Sequence, residues 1–404
     1  MQRFTQHLSR LAAGLVALAV VTAGLAAPAS ADTMPTEPGL PTTVSADALP
    51  TVQVDGVVWS QVIVGNTVYA AGSFSTARPA GAAPGVSTTP RTNLLAYDIR
   101  TGNLITSWAP TTNAQVLTIA ASPDGSRIYI GGDFTQANGS TVWRIAALDA
   151  QTGALIPSFA PRADSKVRAI VATGSTVYFG GLFSAVGSNQ RPRLAAANAA
   201  NGAVLPWAPA AVGGSGVNAM VMSPDGSQLV VGGSFTTLNG SSNPGYGLGA
   251  VDPATGDLLP FAPNNLIRNG GPNASITSLS ADQDAVYGSG YVFGSGGNLE
   301  GVFSADWADG SINWVNDCHG DTYSAAPVGD VVAERLFGED VKSSFERGDD
   351  EIGVIAVGGR DDDAIELLRQ ELVGGGEGLD AIARGEAGAH LCRGVGDADD
   401  SEER

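Results

Sequence analysis

RIYIGGDFTQANGSTVWRIAALDAQTGALIPSFAP, running from Arg127 to Pro161, holds three markers that recur along the chain. A short apolar run closes on two small residues and an aromatic, Gly131-Gly132-Asp133-Phe134. A second run closes on an acid and a glycine turn, Ala146-Ala147-Leu148-Asp149 followed by Thr152-Gly153. An aromatic-Ala-Pro then ends the unit at Phe159-Ala160-Pro161.

The first marker returns at Phe74, Phe183 and Phe235, with a degraded copy in Gly288-Ser289-Gly290-Tyr291. Successive aromatics stand 60, 49, 52 and 56 residues apart. The turn marker returns at Thr101-Gly102, Asn201-Gly202, Thr255-Gly256 and Asp309-Gly310, and the closing aromatic at Trp108, Trp207, Phe261 and Trp314. Three independent markers in register at a period near 50 residues indicate a propeller or solenoid array.

Each unit resolves into four short strands. In the fourth they are Val217–Met222, Gln228–Gly232, Leu248–Asp252 and Asp257–Phe261, and several show the period-2 alternation of a strand. Ser-Pro-Asp-Gly at Ser122–Gly125 and Ser223–Gly226 is a hairpin signal between the first two strands. Helical periodicity is absent. Four antiparallel strands per unit is the blade of a β-propeller, and paired glycines fit where inner strands crowd about an axis. The competing architecture, a single right-handed β-solenoid, uses much shorter coils. The expected fold is therefore all-β, a β-propeller with five readable blades in a truncated ring. The blades are placed at about 51–110, 111–161, 162–209, 210–263 and 264–316, with a partial sixth at 317–332.

Residues 1–31 read as an export signal: Arg3 and Arg10, an apolar stretch from Leu11 to Ala27, then the cleavage site Ala29-Ser30-Ala31. A membrane anchor is the other reading of that run, and no later stretch is apolar enough to span a bilayer. Residues 32–50 form a Pro/Thr-rich leader. The expected address is outside the cell or on its wall, with no transmembrane segment after signal removal. A net charge of −19 argues against nucleic acid as a partner, because phosphate binding requires a basic surface.

The charge is unevenly placed. Ala333 to Arg404 carries 20 acidic and 8 basic residues, against 20 and 13 in everything before it. The repeat stops there too: Val328-Gly329-Asp330-Val331-Val332 opens like a sixth unit and no marker follows. One reading is a natural acidic tail, partly helical around Ala364 to Leu372. The favoured reading is a frameshift near Val332, which would leave a ring with two open faces.

Catalytic motifs are missing. The chain lacks G-x-S-x-G, a P-loop, H-E-x-x-H and Cys-x-x-Cys, and it has three histidines, His7, His319 and His390. Its two cysteines, Cys318 and Cys392, make no disulfide framework, and no cofactor is expected. Asp317-Cys318-His319-Gly320-Asp321 is the densest reactive cluster: either a polar-ligand or cation site, or an ordinary inter-blade loop. The recurring Asp98, Asp149, Asp252 and Asp306, with Asn198 in the third unit, could hold calcium but fit better as acceptors for turn amides. The closing aromatics read as inter-blade packing. Specificity is expected in loops that differ between units: Thr76 to Thr92, Asn239 to Gly247, and Trp143 beside Arg144. Candidate binding residues are thus Trp143, Arg144, Asp317, His319 and Asp321. The sequons at Asn138 and Asn239 read first as turns.

The run from Val54 to Val332, with its GG-D/S-F and ALD-x-x-TG-x-L-x-x-x-F/W-A-P elements, resembles the secreted β-propeller repeat proteins of actinobacteria, of the delta-60-repeat or DUF5122 type. That resemblance implies an extracellular or wall-associated binding scaffold and brings no catalytic residues with it. Ala96 to Gly102 followed by Trp108 is also similar to the docking repeat of quinoprotein dehydrogenases, but the tryptophan falls six residues after Gly102 rather than three or four. The reading is a non-enzymatic exported propeller that binds an extracellular glycan or protein. The alternative is an extracellular propeller enzyme: a quinoprotein-like oxidoreductase, or a polysaccharide lyase or hydrolase.

Overall fold

A computed structural model describes residues 51–317, 321–328 and 331–337. All of them fall in the second of the chain's two compact units, which begins at Pro50. Residues 1–50, expected as a signal and a Pro/Thr-rich leader, Cys318, His319 and residues 338–404 lie outside the described residues.

The apolar runs become antiparallel meanders. Blade 1 is built from Val57–Val64, Thr67–Ser73 and Leu94–Asp98. Blade 2 uses Val116–Ala121, Arg127–Gly132 and Ile145–Asp149, and blade 3 uses Val167–Ala172, Thr176–Gly181 and Leu194–Asn198. In these three the fourth strand shrinks to one bridge, Tyr97 with Leu104, Leu148 with Leu155, and Ala197 with Val204. Blades 4 and 5 have all four strands. Blade 4 runs through Val217–Met222, Leu229–Gly233, Leu248–Val251 and Leu258–Leu259, and blade 5 through Ala274–Ala281, Ala285–Val292, Gly301–Asp306 and Ile312–Asn316. Asp321–Val328 and Val331–Phe337 then pair as the opening hairpin of a sixth sheet, beyond Val332 as far as Phe337.

The first strand of each blade packs beside the first strand of the next, from blade 1 through to the sixth sheet. Sheets joined in this way radiate from a common axis. The fold is a β-propeller. A solenoid, whose coils pair in parallel, does not accommodate these antiparallel ladders.

Because every sheet shows apolar side chains on both faces, the core lies between blades. Tyr69, Leu94 and Ala96 of blade 1 meet Ile119, Ile128, Phe134 and Leu148 of blade 2. Tyr129, Ile145 and Ala147 of blade 2 meet Ile170, Phe179 and Phe183 of blade 3, and the next interfaces repeat the scheme. A buried phenylalanine such as Phe134 or Phe183 stabilises the fold by ~1.5–3 kcal/mol. The closing aromatics seal the seams: Trp108 meets Tyr69 edge-on at 5.0 Å, and its indole Nε1 donates across to the Asp149 carbonyl at 3.3 Å. Trp207 does the same with Tyr178 at 5.1 Å and the Asp252 carbonyl at 3.0 Å.

The acids before each glycine turn serve that turn. Asp149 Oδ1 accepts from the amides of Gln151 and Thr152 at 3.0 and 2.8 Å, Asp98, Asn198 and Asp252 repeat the arrangement, and Asp306 accepts from the Ala308 amide. The sequon asparagines are turn residues as well. Asn138 and Asn239 adopt φ of 48° and 49° ahead of Gly139 and Gly240. Their amide nitrogens donate to the Gly153 and Gly256 carbonyls, each at 2.9 Å.

Candidate functional site

The paired glycines explain what happens at the axis. A Cβ on Gly132 would fall on the Gln115 carbonyl oxygen, and one on Gly181 on that of Lys166. The second strand therefore lies hard against the start of the inner strand, and there the inner strand breaks register. The ladder skips one residue between Val116 and Thr118, between Val167 and Ala169, and between Val217 and Ala219. The same shift occurs between Val58 and Ser60, Ile276 and Ser278, and Thr322 and Ser324. A β-bulge turns one side chain out of the ladder and is over-represented beside binding sites. The six residues so placed are Trp59, Leu117, Arg168, Asn218, Thr277 and Tyr323.

Polar contacts pass along this tier from blade to blade. Arg168 Nη1 donates to Asn218 Oδ1 at 2.7 Å, and Asn218 Nδ2 donates to Ser275 Oγ at 2.7 Å. Thr277 Oγ1 donates to the Thr322 carbonyl at 2.9 Å. Trp59 and Tyr323, on the first and sixth inner strands, are 49% and 47% exposed. Burial pushes the Arg168 guanidinium down from its ordinary value, and the nearby Tyr291 phenol acts in the opposite sense.

The end of the blades that carries the bulges also carries small hairpins between second and third strands, such as Gln136–Ala137 with Ser140–Thr141. In blade 1 the corresponding segment, within Thr76 to Thr92, pairs with Gln53–Val54 in a three-stranded sheet. In blades 1 to 4 the third strand begins after a left-handed residue: Asn93 (φ 65°), Arg144 (65°), Arg193 (69°) and Gly247 (76°). Those side chains tie down the loop beside them. Asn93 Nδ2 donates to the Ala114 carbonyl at 3.0 Å, and Arg193 donates to the carbonyls of Gly213 and Gly214.

Arg144 donates to the Asp133 carbonyl and, at 2.6 Å, to its Oδ1, while Lys166 Nζ stands 3.2 Å from Asp133 Oδ2. Its guanidinium is thus held within the scaffold. Trp143 beside it is 42% exposed, held by a backbone bridge to Arg162. Asp317, three blades further on, accepts from the Glu300 amide at 3.1 Å and is exposed. Asp321 begins the sixth sheet, and His319 lies outside the described residues. No contact among the described residues joins Trp143 and Arg144 to Asp317. The Asn239 to Gly247 loop is fixed by buried Asn264, which accepts from the Gly245 amide at 2.8 Å and donates to the Ile267 carbonyl at 2.7 Å.

At the opposite end a groove of about 270 Å³ lies between blades 2 and 3, lined by Ser122, Asp124, Arg127, Thr173 and Ala199 among others. Arg127 Nη1 closes its floor on the Ala199 carbonyl at 2.6 Å. Among the described residues no three His, Cys, Asp or Glu side chains converge as a metal site would require, and no helix is long and apolar enough to cross a membrane.

A family model described as a domain of unknown function (DUF5122) beta-propeller matches residues 123–159, most of blade 2. No curated protein matches the chain. Among solved structures, the computationally designed Ika8 protein is 12% identical with a TM-score of 0.41, over 72% of this chain and 84% of that one. The WD40 beta propeller domain of Doa1 is 14% identical with a TM-score of 0.39, over 62% of this chain and 63% of that one. The designed Ika4 protein, 14% identical with a TM-score of 0.29, aligns over 44% of this chain and 86% of that one.

Proposed function

We propose that this chain is an exported, non-enzymatic scaffold that binds an extracellular glycan or protein at the axial end where the bulges lie. One observation carries the reading. Six inner strands break register at the same place, and each puts a different side chain there, while the surrounding frame repeats. A constant frame with a variable tier is how one fold hosts many specificities. Export rests on the Arg3 to Ala31 signal pattern. The match over residues 123–159 supports placing the repeat with DUF5122 beta-propellers.

The test is retention of the exported chain on cell-wall material and on a glycan array, run beside turnover assays on the same polysaccharides. Retention without release of reducing ends or unsaturated products is the expected result. Release of such products, or a thermal shift that depends on a quinone with calcium, would replace this reading with the enzyme.

A further inference from the structure

Several arginines among the described residues hold neighbouring loops. Arg91, Arg127, Arg191, Arg193 and Arg268 spend their guanidinium groups on backbone carbonyls of neighbouring loops, such as Thr106, Ala199, Leu205 and Gly214. They hold the scaffold. Arg168 is different: it stands at a bulge in the axial tier, its hydrogen bond runs from Nη1 to the neutral Asn218 amide oxygen, and Tyr291 is near enough to act on it. Among the described residues no carboxylate lies within ion-pair distance of it. Arg168 is half-buried, so part of its side chain meets solvent.

The surroundings favour an anion. Arg144 and Lys166 meet across Asp133 at this end of blades 2 and 3, and Arg168 follows two residues after Lys166, on a protein of net charge −19. The carboxylates there are engaged: Asp133 between Arg144 and Lys166, and Asp164 accepting from the Ser184 amide and hydroxyl at 2.9 and 2.6 Å. The rest of the tier matches a sugar. Trp59 and Tyr323 offer aromatic faces, and the Asn218 amide holds the Arg168 guanidinium in place between them. A guanidinium fork suits a planar carboxylate, and aromatic rings suit the apolar face of a pyranose.

We propose that the axial tier binds an acidic oligosaccharide, with Arg168 gripping the carboxylate of a uronic acid unit. This inference rests on the scaffold reading above and narrows its ligand. Calorimetric titration of the exported chain with trigalacturonate, cellotriose and triglutamate tests it. Trigalacturonate is expected to bind well above the other two. Arg168→Gln should weaken that binding about tenfold or more, the loss expected when a charged hydrogen bond is removed. Arg168→Lys should fall between, keeping the charge and losing the fork. Unfolding midpoints close to the parent's show that both variants are folded.

Equal binding of trigalacturonate and cellotriose overturns the proposal, as does full affinity in Arg168→Gln. So does tighter binding of triglutamate, which would make the ligand an acidic peptide, or no binding of trigalacturonate at all. If cell-wall material is still retained in these cases, the scaffold reading stands and only the uronate site falls.

Discussion

The outer turns of the blades and their axial ends are built from the same repeat and follow opposite rules. At the turns one chemistry recurs: Asp98, Asp149, Asn198, Asp252 and Asp306 each accept from an amide that follows. At the axis nothing recurs but the bulge, filled by Trp59, Leu117, Arg168, Asn218, Thr277 and Tyr323 in turn. The turn needs a short acceptor to bend the chain, so its residue is constrained by folding. The bulge needs only room for its backbone, and in blades 1 to 5 a glycine opposite supplies that room. Its own side chain is released from the ladder and free to differ.

The sharpest way to break this comparison is to remove the room. In Gly181→Ala the new methyl group would fall on the Lys166 carbonyl oxygen and 3.0 Å from Val167 Cα, atoms of backbone that cannot rotate away. Overpacking of this kind costs ~1–3 kcal/mol or more, and each kcal/mol moves the melting point of a domain this size by ~2–4 °C. Gly174 is the control, because a Cβ there meets nothing within 4 Å. Gly174→Ala is expected to be neutral or stabilising by ~0.4–1 kcal/mol. Calorimetric melting of both variants checks the pair. Equal melting points would mean that the inner strand is not pinned by Gly181.

Much of the scaffold was legible because its constraints fall on residue types. Gly131-Gly132 marked close approach, Asp124-Gly125 marked a hairpin, and Thr152-Gly153 after Asp149 marked the outer turn. In blade 4 the strand bounds differ by a residue or two, the last strand shortening to Leu258–Leu259 as Phe261 turns inward to pack. The axial tier was not legible, because a bulge is an offset between two strands and no residue type announces it. Tryptophan, leucine, arginine and threonine at one position share no chemistry to align on. The small hairpins were missed for a related reason, since two-residue strands such as Gln136–Ala137 carry no periodicity. Trp143-Arg144 was read as a surface pair, yet Arg144 belongs to a series. Asn93, Arg144, Arg193 and Gly247 each precede an apolar third strand, and aligning the repeats at that column would have exposed it.

A second test weighs a constant position against its one natural exception. Tyr69 and Tyr178 each donate a phenolic hydrogen bond across a seam, to the Ala150 and Pro253 carbonyls at 2.8 Å, while Tyr129 reaches Ala199 at 3.4 Å. Blade 4 has Val230 at this column and does without the bond. Tyr178→Phe is expected to cost about 1 kcal/mol, and Tyr129→Phe less, because its bond is long. Urea unfolding midpoints give both values. If Tyr129→Phe proves the costlier, these bonds are not what the column is kept for.

The gentlest probe is acid, and it separates blades 2 and 4 from blade 3. Asp124 Oδ1 accepts from Ser122 Oγ at 2.5 Å, the Ser126 amide at 3.0 Å and Ser126 Oγ at 2.9 Å, and Asp225 is bonded in the same way by Ser223 and Ser227. Those bonds, the serine hydroxyls of Ser122 and Ser223 foremost, hold both carboxyls down to about 2 from an ordinary 3.8. A carboxyl depressed in the folded state contributes stability that is fully present above its unfolded value. That contribution fades as the pH falls from about 4 toward 2, where the folded carboxyl takes up its proton. Blade 3 turns on Thr173-Gly174-Ser175 and has no such group. The double variant Asp124→Asn, Asp225→Asn should therefore unfold at lower urea than the parent at pH 6, with the gap narrowing as the pH drops through 3. Both carboxyls are fully exposed, so the gap is expected to be small. A gap that stays constant from pH 6 to pH 2 would mean that the turns are held by their shape and not by the carboxylate charge.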